Sequence, residues 1–379
     1  MAITIHGTTS IVGLISDTNN VGLGSTALDS ITTGDYNVGI GDNALTANTT
    51  ASNNTAVGKD ALTANITGAQ NAAVGKGALQ ANTSGGENTA MGYLALDANT
   101  TASNNTATGY KALRVNTTGA HNTAVGQSAM VANTTGADNT SVGSLSLDAN
   151  TTGGQNVAVG VNALGVNTTA SYNTALGFAA LTDNTTGAKN TAVGYLALGD
   201  NTTANSNTAI GYTSLRINTT GVHNVGCGYE TLMSNTTGGS NVAVGLEALR
   251  SNTTASNNTA VGRGALYANT TASDNCAVGH NALNSNTTGA SNTGIGRAAV
   301  NSNTTGSFNT GVGHAALNSN TTGYNNEAIG YQALLAHTTG YYNTALGCGA
   351  LKLLQQVIVI LVLEDFLDTK LQLGYIMLM

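Results

Sequence analysis

"NTAVGYLALGDNTTANS", residues Asn190 to Ser206, is followed at once by "NTAIGYTSLRINTTGVH", Asn207 to His223, and preceded by "NTALGFAALTDNTTGAK", Asn173 to Lys189. The three phrases are the same length and share their Asn, Gly, Leu and Thr letters. Working outward in both directions, an Asn opens a unit at every seventeenth residue from Asn20 to Asn343, with no insertion across twenty units. The consensus is N-T-A-V-G-x-x-A-L-x-x-N-T-T-G-x-x. Position 5 is Gly in every unit, position 9 is Leu except at Met130 and Val300, and position 8 is Ala except at Ser146, Ser214 and Thr231.

An unbroken period of this size marks a stacked-repeat architecture. Seventeen residues are too few for a helix pair, and the unit has no apolar stripe of period 3.6, while Gly interrupts any helix. Two short β-type segments, "T-A-V" and "x-A-L", bounded by Gly and Asn, fit one coil of a parallel β-solenoid. The expectation is an all-β parallel solenoid, or β-roll, of about twenty rungs over residues 20–352, with 1–19 an N-terminal cap or partial rung. Rungs stacked at strand spacing, ~4.8 Å, would give a rod on the order of 100 Å long.

In-register stacking explains the constant letters. The Asn residues at position 1 (Asn122, Asn139, Asn156) and position 12 (Asn133, Asn150) are expected to form side-chain amide ladders. Gly126, Gly143 and Gly160 at position 5 mark a corner that needs positive φ or a close backbone approach. Aliphatic position 4 and Leu at 9 are expected to stack as core columns. Positions 3, 4, 8 and 9 are all small or apolar, although alternation sends neighbours to opposite faces. The strands are therefore expected to bury both faces, one inside the coil and one against other copies of the chain.

Composition restricts function. The chain has 379 residues, 49 of them Gly, no Pro, no Trp, and only 8% charged. A net charge of -7 with 11 Lys and Arg provides no broad basic face, so nucleic acid is not an expected partner. Cys227, Cys276 and Cys348 are too few and scattered for a disulfide framework and are taken as small apolar fillers. No conventional signal peptide is visible in "MAITIHGTTSIVGLIS".

The phrase "NTAVGYLAL", Asn190 to Leu198, resembles the head repeats of trimeric autotransporter adhesins, which carry an Asn-Ser-Val-Ala-Ile-Gly type motif. It is also similar to the repeat arrays of phage tail-fibre proteins that end in a self-cleaving trimeric chaperone. The resemblance spans roughly residues 20 to 352. It implies a left-handed parallel β-roll, a homotrimer, an extracellular place on a virion or bacterial surface, and attachment to host or surface glycans. The unit here is longer than that of the adhesin head, and no stalk, anchor or chaperone pattern follows residue 352.

After Lys352 the phrase stops and "LLQQVIVILVLEDF" begins. Val357 to Leu363 is seven apolar residues, far short of the ~20 of a membrane span. One permissible codon choice for "KLLQQVIVILVLE", shifted by a single restored A, reads "KASTTGNSNTGIG", and the Asn of its "NTGIG" falls seventeen residues after Asn343. Residues 353–379 are thus expected to be out-of-frame translation of further repeat; the alternative is a C-terminal cap.

Other motifs dissolve into the repeat. "GIGRAA" at Gly294 and "GIGDNA" at Gly39 mimic a dinucleotide loop but are rungs with Gly at position 3, so no cofactor is expected. His280 and His314 share a rung position two rungs apart, ~10 Å, too far to share one metal. No carboxylate pair or activated nucleophile is placed for catalysis, and the chain is not expected to be an enzyme. The position-12 Asn begins a glycosylation sequon seventeen times, and an inward ladder would hide it. Position 6 carries Phe178, Tyr195, Tyr212 and Tyr229 on consecutive rungs, and Tyr93 with Tyr110 elsewhere; such rings are expected to stack on one another for stability, and the alternative is a flat sugar-binding strip. The function expected is a structural attachment fibre. The competing classes are an ice-binding solenoid, suggested by the Thr-rich rungs, and a passive spacer.

Overall fold

The computed structural model describes residues 19–355 and 358–363, and shows a parallel β-solenoid with about one turn per seventeen residues and, among the described residues, no helix. The chain divides into two compact units, Met1–Asn190 and Thr191–Met379. Each rung contributes one three-residue strand at positions 2–4. These run from β1 (Val21–Leu23) to β10 (Thr174–Leu176) in the first unit. In the second they run from β11 (Thr191–Val193) to β19 (Glu327–Ile329), followed by the six-residue β20 (Tyr341–Leu346) and β21 (Ile358–Leu363).

Within each unit pairing is parallel and the register does not slip among the described strands. Thr106 faces Thr123, Ala107 faces Ala124 and Thr108 faces Val125, each pair seventeen residues apart. The second unit repeats this with Thr191 facing Thr208 and Val193 facing Ile210. Only the first of the two anticipated β segments is a strand. The "x-A-L" stretch is a turn, because positions 7 and 9 adopt positive φ, as at Asn162 (57°) and Leu164 (53°), while position 8 between them does not.

That turn nonetheless continues the inter-rung ladder. Asp60 N–H donates to Asp42 O of the preceding rung at 2.8 Å, and Leu62 N–H to Ala78 O of the following one at 3.0 Å. Ala64 N–H reaches Gln80 O at 3.1 Å and Thr83 N–H reaches Thr100 O at 2.8 Å. Most of each coil therefore hydrogen-bonds along the stacking direction, which is how a chain with little core satisfies its backbone. A left-handed Leu costs ~1–2 kcal/mol. Full burial of its side chain gains ~1.5–3 kcal/mol, so burial prevails.

Those leucines make the core. Leu164, Leu181, Leu198 and Leu215 are wholly buried, as are Ala158, Ala175 and Ala192 at position 3 and Ala163, Ala180 and Ala197 at position 8. The expectation that position 4 also belongs to the core is wrong. Strand alternation turns position 3 inward and positions 2 and 4 outward, leaving Met91 48% and Ile210 41% exposed. Positions 8 and 9 escape that alternation because they lie in the turn.

Gly at position 5 meets both conditions expected of it. Gly126 has φ 136°, and a Cβ there would stand 2.5 Å from the carbonyl oxygen of Gly143 in the next rung.

The two Asn columns are buried but bond differently. At position 12 the amides form the expected ladder: Asn133 Nδ2 donates to Asn116 Oδ1 and Asn150 Nδ2 to Asn133 Oδ1, both at 2.8 Å. At position 1 the expected amide bonds also form, from Asn139 Nδ2 to Asn122 Oδ1 at 3.1 Å and from Asn156 Nδ2 to Asn139 Oδ1 at 3.2 Å. A shorter link from backbone to side chain is added, Asn139 N–H donating to Asn122 Oδ1 at 3.0 Å and Asn156 N–H to Asn139 Oδ1 at 2.9 Å. Most rungs are also cross-tied. The carbonyl of Gly136 accepts from Asn122 Nδ2 at 2.8 Å and Asn133 Nδ2 at 2.9 Å.

β21 keeps the count, pairing Ile360 with Asn343 and Val362 with Ala345, although at positions 1 to 3 it has Ile, Leu and Val where the consensus has Asn, Thr and Ala. The expected partial rung 1–19 lies outside the described residues except for Asn19, as does the tail beyond Gln355 apart from β21.

Candidate binding surface

With positions 1, 3, 8, 9 and 12 inside, what varies between rungs is displayed outside. The column at position 6 follows the glycine corner. Within each unit it is held in step by hydrogen bonds from position-7 N–H groups to the preceding position-6 carbonyl, as from Thr213 to Tyr195 and from Glu230 to Tyr212, at 2.9 and 3.0 Å. Column 6 holds six of the chain's 13 Tyr and four of its 11 Lys and Arg, namely Lys59, Lys76, Arg263 and Arg297. That concentration singles out this column as chemically distinct from the rest of the surface.

The aromatic residues are placed as stacked ladders. Tyr195 and Tyr212 have ring centroids 5.2 Å apart and planes 10° from parallel; Tyr212 and Tyr229 are 5.2 Å and 7°. In the first unit Tyr93 and Tyr110 stack at 5.6 Å and 12°, and Lys111 Nζ sits 4.9 Å from the Tyr110 centroid. Phe178, also in the first unit, is 49% exposed. Parallel rings hide their faces against one another, so the ladder offers solvent its edges and hydroxyls. The mutual stacking expected from sequence is present at these pairs, and what it leaves toward solvent is a row of polar rims at strand spacing.

The charges beside this row are mostly engaged. Glu230, hydrogen-bonded to Tyr229, holds that phenol above its ordinary range. Arg250 Nε donates to Glu230 Oε2 at 2.7 Å, lies 3.8 Å from Glu247 and covers the Tyr267 ring. In the first unit Arg114 is 3.9 Å from Asp97, whose carboxyl is pushed up by burial more than that distant cation lowers it. Further along column 6, Arg263, His280, Arg297, His314 and Tyr331 are all exposed, and His314 stacks on Tyr331 at 5.4 Å. The sequence places His280 and His314 two rungs apart and unsuited to one metal; the pattern missed there is that arginines alternate with them.

Among the described residues no group of three His, Cys, Asp or Glu could hold a metal ion, and no helix is long and apolar enough to cross a membrane. The sequon Asn residues are inward, as Asn116, Asn133 and Asn150 show with full burial. No family model matches the chain, and no curated protein matches it.

Proposed function

We propose that the protein is a structural attachment fibre, extracellular on a virion or bacterial surface, that binds host or surface glycans through many weak contacts and works as a homotrimer. The observation that supports this best is the unslipping seventeen-residue register, which repeats any outward group at strand spacing. One weak contact thereby becomes a row of linked contacts whose avidity rises through effective concentration. The hydroxyl rims of Tyr195, Tyr212 and Tyr229 are the candidate glycan contacts. The role is mechanical and recognitive rather than enzymatic. Its test is binding of the full chain to immobilised glycans, compared with a Tyr195→Ala/Tyr212→Ala double variant. At least a tenfold loss is expected, and unchanged binding removes the tyrosine row from the function.

One observation favours ice binding as a second reading. Positions 2 and 4 form two parallel outward ranks, and Thr106 and Thr108 give a Thr-x-Thr pair on that face. Against it, rank 4 is aliphatic in most rungs, and rank 2 is interrupted by Val157, Val225, Val242 and Glu327. The adjacent Thr pairs that follow position 12 are no better, because Thr117 Oγ1 spends its proton on Thr134 O at 3.0 Å. Measured thermal hysteresis would favour ice; its absence leaves attachment.

A further inference from the structure

We propose that column 6 from Arg263 to Tyr331 is a binding strip for a linear acidic polysaccharide lying along the stacking direction; this deepens the attachment role and rests on it. The run is Arg263, His280, Arg297, His314, Tyr331, one residue per rung on five consecutive rungs of the second unit. All five side chains are exposed. Their backbones are locked in step, with N–H groups of Asn281, Ala298, Ala315 and Gln332 donating to the carbonyls of Arg263, His280, Arg297 and His314, each at 2.9 Å. Neighbouring members are therefore about one strand spacing apart, and the two guanidinium groups stand on alternate rungs, ~10 Å apart at the backbone.

The cations of this run are left available. Arg250 is engaged by Glu230 and Glu247 and Arg114 faces Asp97, whereas among the described residues neither Arg263 nor Arg297 joins an ion pair. Position 7 beside them is Gly264, Asn281, Ala298, Ala315 and Gln332, without a carboxylate. On these rungs the carboxylates are Asp274 at position 17 and Glu327 at position 2, neither adjacent to column 6. In a chain of net charge -7, two unpaired arginines aligned with two imidazoles form a local anion-attracting line.

The line selects ligand shape as well as charge. A compact anion engages one guanidinium, but an extended polymer with carboxylates or sulfates at intervals meets both, and its hydroxyls can bond the intervening imidazoles and the Tyr331 rim. Arg is suited to this because its planar fork grips a carboxylate or sulfate through two hydrogen bonds. Nucleic acid is a poorer fit. Its dense phosphates need many cations to release counterions, and here two fixed charges sit on an acidic chain.

The test uses the full chain and immobilised hyaluronan (carboxylate only), chondroitin sulfate (carboxylate and sulfate), neutral dextran and oligothymidylate. The expected result is binding to one or both acidic polysaccharides that weakens as salt rises. Arg263→Gln/Arg297→Gln should lower it at least tenfold, Arg263→Lys/Arg297→Lys should restore part of it, and Lys189→Gln/Lys352→Gln, with the same change in net charge, should leave it intact. A retained β-type circular dichroism spectrum shows that the variants fold. No binding to either acidic polysaccharide, equal loss in the Lys189/Lys352 variant, or tighter binding of oligothymidylate overturns the proposal. Binding to neutral glycans that depends on Tyr195 and Tyr212 but not on Arg263 and Arg297 would overturn this strip while leaving the attachment role in place.

Discussion

At the scale of single residues, departures from the repeat are informative because each buried position tolerates one chemistry. Ser146 stands where most rungs have Ala, and the structure pairs it with another departure. Ser141 Oγ donates to Ser146 O at 2.8 Å and the two hydroxyls are themselves in contact at 2.5 Å. The other two exceptions at position 8, Ser214 and Thr231, meet each other at 2.7 Å on adjacent rungs. Buried hydroxyls cost free energy unless paired, and removing one partner exposes that cost. Ser141→Ala or Ser146→Ala alone should therefore destabilise by about 1 kcal/mol, while the double change should be close to neutral, measured as a double-mutant cycle in chemical denaturation. Additive losses would show that the hydroxyls do not interact.

His337 is a residue-scale exception inside the column at position 12, where the first unit has Ile31 and the last Leu354. It occupies the place of a ladder Asn, is fully buried, and keeps one bond, from Nε2 to Gly340 O at 3.0 Å. Its Nδ1 and the Oδ1 of Asn320 in the preceding rung are both left without partners. Burial lowers the imidazole below its ordinary 6.5, only partly offset by the Gly340 bond. The unfolded chain then takes up a proton that the folded one resists, so stability is lost as pH falls through and below that ordinary value, and this group contributes no pH dependence well above it. His337→Asn should restore the ladder, raise stability by roughly 1–3 kcal/mol and remove this acid-sensitive component. Thermal denaturation between pH 5 and 8 of the two proteins checks both outcomes.

At the scale of the element, the rung's period, its parallel pairing and its glycine corner were legible in the letters, because stacking like on like demands constant residues. The inward ladder of Asn133 and Asn150 was legible for the same reason. Two matters were hidden. Leu164 and its equivalents look like strand residues, yet they sit in a left-handed turn, since an apolar letter records burial and not the backbone angle that achieves it. Val142 and Ile210 look like core and lie outside, because alternation across a three-residue strand allows only position 3 inward. The tyrosine row could be found by aligning the units, but not the fact that its faces are mutually covered; that follows from ring planes within about 10° of parallel.

For the whole molecule, the outward face of each unit matters most. Column 4 presents Val74, Met91, Val142 and Leu176 in the first unit and Val244, Val261, Val278 and Ile295 in the second, each between 36% and 48% exposed. Apolar columns of this regularity fit best against a surface with the same repeat distance, and another copy of the chain has it. The proposed homotrimer would cover them. Met91→Lys together with Val142→Lys should then convert a multi-chain particle into single chains in light scattering, with the circular dichroism spectrum retained. A wild-type protein that is already a single chain at micromolar concentration would remove self-association from the function.

The glycine corner and the constant register have a consequence for inheritance. Within either unit, excising one whole seventeen-residue coil joins two cut ends whose buried letters are nearly identical, so Asn meets Asn, Leu meets Leu and no backbone donor is stranded. Losing a single residue instead puts every later side chain out of phase with its neighbour. Gains and losses of whole coils are therefore the changes this architecture absorbs with least damage, making reach the trait most readily altered by recombination between its own near-copies.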